Sequence, residues 1–178
     1  MAREDENFAV RREFSRVDAH VPFEIRVVPA EERQSVRART SGGTTFAETR
    51  ALPELQDKIL AEWVKAMNSK LDAIVNMLSF QREGFGSMPF AHVNISGGGL
   101  GFVSKDKYNL GETIEMKIIL PSMPPVALFL YGEVVKSDRL TNSYMTATKF
   151  VAMDEEVQDE IVKFVFRRQR EILREKRR

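Results

Sequence analysis

Residues 88–151 are cut by turns into short β-rich pieces, and that spacing limits the fold more than any other feature of the chain. The pieces are 88–95, 99–104, 113–120, 126–136 and 143–151. Between them lie Gly97–Gly99, the Asn109-Leu110-Gly111 step, the Pro-rich run 121–125 and the polar run 137–143. Strands this short, separated by turn residues, bury one face each by closing into a small antiparallel barrel or by pairing as a sandwich. Residues 21–28, VPFEIRVV, are β-branched and alternate, so they supply one more strand ahead of the series.

What separates that first strand from the rest is an insertion, residues 29–87. Its opening, 29–50, mixes charges and ends in Ser-Gly-Gly-Thr-Thr with no sustained periodicity. It reads as a linker, or at most a short helix followed by one. Residues 53–80 are different. Pro53 suits a first helical turn, and neither Gly nor Pro occurs between it and residue 80. Leu60, Val64, Met67, Leu71, Ile74 and Leu78 recur at alternating steps of four and three. That is a heptad seam with Val64, Leu71 and Leu78 at a and Leu60, Met67 and Ile74 at d.

Such a helix is about 42 Å long at 1.5 Å per residue, more than a small barrel needs as a cap. Two readings of the seam stay open: it lies on its own barrel, or it joins copies of the chain. Leucine at a with isoleucine at d leans towards trimers or tetramers, while Val64 and Met67 dilute that preference. The expectation is a homo-oligomer, a tetramer or a dimer. The chain closes with a helix over 154–178, with Asp154 as N-cap and Val157, Ile161, Phe164 and Val165 along one face.

Composition removes several classes of function. The chain has 178 residues and is 43% hydrophobic, enough for one domain with a real core. Its 27 basic and 26 acidic side chains nearly cancel, which argues against a bulk electrostatic partner such as duplex DNA. The terminal RRQREILREKRR holds seven basic residues against two acidic ones, yet without interleaved aromatics it reads as the dipole-complementing end of a helix. There is no cysteine, and His20 and His92 are the two histidines, so thiolate chemistry is absent and a multi-histidine metal site is not expected. The glycines at 97–99 and 101 fail the dinucleotide-fold pattern, because Phe102 stands where its third glycine belongs and a strand comes next. No enzyme chemistry has positive support. No run reaches the ~18 apolar residues of a membrane span, and the start MAREDENFAV lacks a secretory pattern, so the expected location is the cytoplasm.

Two short motifs remain, Arg12–Arg16 spaced as RxxxR with Arg11 just before it, and Asn94-Ile95-Ser96-Gly97-Gly98-Gly99, spaced as NxSxxG. In this order around a strand-rich domain they resemble the PilZ family of cyclic di-GMP receptors. That family carries RxxxR just before its first barrel strand and [D/N]xSxxG on an early strand and turn.

The resemblance covers residues 11–28 and 88–151, places the terminal helix correctly, and leaves 29–87 outside the usual pattern. It implies a six-stranded antiparallel β-barrel with a long inserted helix and a C-terminal helix, α+β overall. The whole chain, 1–178, is then a single PilZ-like domain with residues 1–20 as a flexible arm. It also implies that Arg12 and Arg16 clamp phosphate and guanine from that arm, with Arg11 beside them compatible with a paired ligand. Asn94 and Ser96 then read a guanine edge, and Gly99 lets the backbone approach the ligand. The chemistry suits a dianionic dinucleotide, since a guanidinium pairs bidentately with phosphate and stacks on a base. The expected output is an adaptor whose arm orders on binding and signals to an unidentified protein effector. The competing expectation is an oligomerising interaction protein on the same scaffold that binds no nucleotide.

Overall fold

The computed structural model describes residues 15–41, 55–123 and 125–176. Seven strands appear in it: β1 (Arg16–Val27), β2 (Arg39–Thr40), β3 (Phe90–Ser96), β4 (Gly99–Ser104), β5 (Thr113–Leu120), β6 (Val126–Arg139) and β7 (Tyr144–Val151). Two helices, α1 (Lys58–Arg82) and α2 (Glu155–Glu175), complete it, with a single 3-10 turn at Phe85–Ser87. Every strand pairing is antiparallel, in the order β2-β6-β5-β1-β3-β4-β7. Because β7 returns to pair with β6, six strands close into a barrel, and the two-residue β2 is an appendage on its rim. Closure removes the exposed edges that strands this short would otherwise leave unpaired.

Alternation decides which side of each strand is buried. β5, TIEMKIIL, buries Ile114, Met116, Ile118 and Leu120 and turns the residues between them outward. Ile95, Leu100, Phe102, Leu128 and Leu130 fill the same interior. Each such side chain contributes about 1.5–3 kcal/mol on burial. α2 plugs one end of the barrel: Val157, Ile161, Phe164 and Val165 fall at helical spacing and join that core. Asp154 does stand at the N-cap position, but its carboxylate makes no cap hydrogen bond; it accepts from Arg37 Nε at 2.7 Å instead.

The first strand corrects the expected boundary. It begins at Arg16, five residues before the predicted start, so residues 16–20 are paired with β3 and are not part of an arm. Residues 1–14, with Arg11 and Arg12, lie outside the described residues. Residues 30–35 form turns, and no helix forms in the described part of 29–41.

α1 begins at Lys58, where Asp57 caps the amides of Ile59 and Leu60 at 2.9 and 3.2 Å. The expected start at Pro53 falls outside the described residues. The helix runs 25 residues, about 37 Å, and is held to the barrel at its C-terminal end. There Glu83 accepts hydrogen bonds from Arg39 Nη1 at 2.9 Å and from Ser41, and its carbonyl accepts one from Lys117 Nζ at 3.1 Å. Gly84 then takes a left-handed φ of 80°, which a side chain disfavours, and turns the chain so that Phe85 drops edge-on against Phe129, centroids 5.0 Å apart. Arg39 lies over the Phe129 ring, 3.9 Å from its centroid.

This attachment uses Ser79 and Phe80, on the flank of the helix away from the seam. The seam itself is bare. Leu60, Met67, Leu71, Ile74 and Leu78 are 49–60% exposed, and Trp63 beside them is 67% exposed. The reading in which the stripe packs on its own barrel is therefore wrong.

Candidate functional site

One residue from each motif, Arg16 and Asn94, meets the other on the outer face of β1 and β3. Antiparallel register sets Arg16 opposite Ser96, Asp18 opposite Asn94 and His20 opposite His92. Val17, Ala19 and Val21 point into the core between them, which turns Arg16, Asp18 and His20 outward together. β4 extends the rows, with Gly99 opposite Ser96 and Gly101 opposite Asn94, and β7 adds Lys149 beside Gly99 and Ala147 beside Gly101.

Asn94 is the centre of the polar contacts. Its Oδ1 accepts from Arg16 Nη1 at 3.4 Å, and its Nδ2 donates to Asp18 Oδ1 at 2.8 Å. The longer of these is weak and exposed, the kind of contact that a charged ligand displaces at little cost. Among the described residues neither Arg16 nor Lys149 is held in an ion pair. Two uncommitted cations therefore border a floor kept low by Gly101 and Ala147. At Gly101 a Cβ would meet its nearest neighbours at 3.6 Å, ordinary contact, so packing does not demand the glycine there.

Ser96 and Gly99 sit differently from their expected places. Ser96 is 2% exposed, and its hydroxyl donates to the Gly99 carbonyl at 3.2 Å and accepts from the Gly98 amide at 3.4 Å. It is inside the turn, shaping it, and not on the open face. A Cβ on Gly99 would fall 2.2 Å from the Thr148 carbonyl oxygen, so that glycine is required by the close crossing of β7, whatever approaches from outside. The turn is further tied by Gln158 of α2, which donates to the Gly97 carbonyl at 3.1 Å, and by the Phe150 amide on the Gly98 carbonyl at 3.0 Å.

Sequence reasoning missed Lys149 and Asp18 as members of this face. Lys149 becomes a neighbour only through barrel closure, which no local pattern reveals. Asp18 could have been found by carrying the alternation of β1 back through Val17 and Ala19. No three His, Asp or Glu side chains among the described residues gather as a metal site would need, and no described helix is long and apolar enough to cross a membrane.

A closed six-stranded antiparallel barrel, plugged by a C-terminal helix and carrying Arg16 and Asn94 in contact on its outer wall, defines a class of small closed β-barrel domains. A family model for the PilZ domain matches residues 75–167, more than half of the chain. The chain belongs to the PilZ domain family. The match begins inside α1, so β1 and Arg16 join the domain by structure and motif. No curated protein sequence matches the chain. Among solved structures, a pathogenic protein from Xanthomonas campestris is similar in fold over 92% of both chains, with a TM-score of 0.59 and 18% identity. It is described as a new tetrameric PilZ domain self-assembled via an unusual helical bundle.

Proposed function

We propose that this chain is a cyclic di-GMP receptor that acts as a self-associating adaptor, with one domain spanning residues 1–178 and α1 inserted between its first two barrel strands. The observation that carries the ligand claim is the contact of Arg16 with Asn94, 78 positions apart, on an open face that Lys149 borders from β7. A dinucleotide with two phosphodiester charges matches those cations, and a flat base matches the low floor. Arg12 stands four residues before Arg16, within about 14 Å along an extended chain, so it and Arg11 reach the same ligand. Ligand binding then fixes that preceding segment on the barrel, and the re-formed surface is what a protein effector reads. Lying on the strand, Arg16 is the fixed end of this clamp.

Calorimetry with cyclic di-GMP is the test. Wild-type protein gives binding heat at tens of micromolar, and Arg16→Ala weakens binding by more than tenfold. Absence of heat in the wild type, or wild-type affinity in Arg16→Ala, overturns the ligand claim.

Self-association rests on a separate observation, the exposed heptad seam of α1 facing away from the barrel. The tetrameric assembly described for the Xanthomonas campestris protein supports it. If the ligand claim fails while the seam assembles, the function is that of an interaction protein on a PilZ scaffold.

A further inference from the structure

His20 and His92 are direct cross-strand partners one row along from Asp18 and Asn94, about 6.6 Å away at 3.3 Å per residue. Their rings stack, with centroids 4.4 Å apart and planes 27° from parallel, and the Phe90 ring lies 5.3 Å from that of His20. All three side chains are on the exposed face, Phe90 at 64%. Neither imidazole has a hydrogen-bond partner among the described residues. Beyond them Val103 and Met145, paired across β4 and β7, extend an apolar surface. A stacked imidazole pair with no hydrogen-bond partner of its own, its outer ring faces forming an aromatic ledge, thus adjoins a carboxylate: Asp18 Oδ1 accepts from Asn94 and keeps a second lone pair, and its other oxygen accepts from nothing among the described residues.

Building on the receptor reading above, we propose that this is a guanine subsite, with the His20–His92 ledge under the base and Asp18 as the residue that specifies guanine. The Watson–Crick edge of guanine offers two adjacent donors, N1–H and the N2 amino group, and a carboxylate offers only acceptors, so the two pair in register. Adenine presents an unprotonated N1 at the equivalent place, which sets acceptor against acceptor and leaves a polar group unpaired. The ledge is indifferent to that distinction, because any purine has a face that stacks. Asp18 therefore governs choice of base, while the histidines govern affinity for either base. Phosphate stays with Arg16 and Lys149, one row away on the other side of Asn94.

The test is calorimetry of the full chain with cyclic di-GMP and, separately, cyclic di-AMP, with thermal melting of every variant to confirm folding. Wild type is expected to prefer the guanine ligand by at least tenfold. Asp18→Asn weakens cyclic di-GMP by about tenfold and narrows the gap between the two ligands. His92→Ala weakens binding by about tenfold without narrowing it, and His92→Phe, which keeps a stacking ring, restores it. If Arg16→Ala abolishes binding while Asp18→Asn and His92→Ala both bind as wild type, the subsite is overturned and the receptor reading stands. If wild type binds neither ligand, the subsite falls together with the reading beneath it.

Discussion

The barrel and α1 carry equally regular apolar patterns, and they do opposite things with them. In β5 the apolar positions at period two are buried completely; in α1 the seam at period three and four is 49–60% exposed along most of its length. Periodicity states which face of an element is apolar and leaves open what covers it. For the strands the covering partner is fixed by closure, since six strands wrapping into a ring leave one interior. For α1 it is fixed at the helix root. Glu83, Gly84 and Phe85 aim the helix outward and place Ser79 and Phe80 on the barrel, so the seam is left uncovered among the described residues.

The contrast is broken most directly by truncating one leucine in each region. Leu128→Ala in the barrel interior leaves a cavity in a site that cannot collapse and costs about 2–5 kcal/mol. Leu71→Ala costs the dilute monomer under about 0.5 kcal/mol, because its side chain is 56% exposed there. Chemical denaturation at low protein concentration reads both. Equal losses would mean that α1 is covered within the monomer.

Assembly gives the complementary reading. Leu71→Asp places a charge at a central a position, and sedimentation equilibrium at micromolar concentration then shows monomer where wild type is tetramer or dimer. Its effect on the barrel is nil, so circular dichroism of the strands is unchanged. A wild-type monomer at tens of micromolar would remove the seam from the function.

Legibility divided along the same line. Five of the barrel strands were readable to within a few residues, because β-branched runs ended at Gly and Pro turns. The start of β1 was not, since Arg16, Asp18 and His20 look like a polar arm unless Ala19 is counted as core. β2, two residues long, has no periodicity to read. Both motifs were visible as spacings, and Arg16 and Asn94 do meet. What the spacing could not tell was orientation: Ser96 inside its turn, Gly99 demanded by Thr148, and Lys149 brought alongside from the last strand.

The joint between the regions is the next place to cut. Glu83→Gln removes the charge that holds Arg39 and leaves the helix cap intact, at a cost of roughly 1–2 kcal/mol. Its mark is local: amide exchange quickens around Gly84 and Phe85 while the barrel strands keep their protection. Protection unchanged at the root would assign the aim of α1 to the Phe85–Phe129 packing alone.

The smallest effect lies on the barrel wall beside the root of α1. Burial of Glu115 pushes its carboxyl up, but hydrogen bonds from Arg26 and Tyr131, with the nearby charges of Arg26 and Lys117, outweigh that and lower it below its ordinary 4.5. Tyr131, half-buried and donating to Glu115 at 2.8 Å, is pushed up to about 12 by that burial and by Glu115, and stays protonated as the donor. A depressed carboxyl stabilises the fold above its unfolded value and loses that contribution as pH falls through the folded one. Stability therefore declines as pH drops below about 4.5, and Glu115→Gln removes about 1 kcal/mol or less at neutral pH while flattening that decline. Thermal melts between pH 3 and 7 compare the two proteins. Parallel curves would show that the Arg26–Glu115–Tyr131 contacts add nothing to the barrel, and would leave its acid sensitivity to other carboxylates.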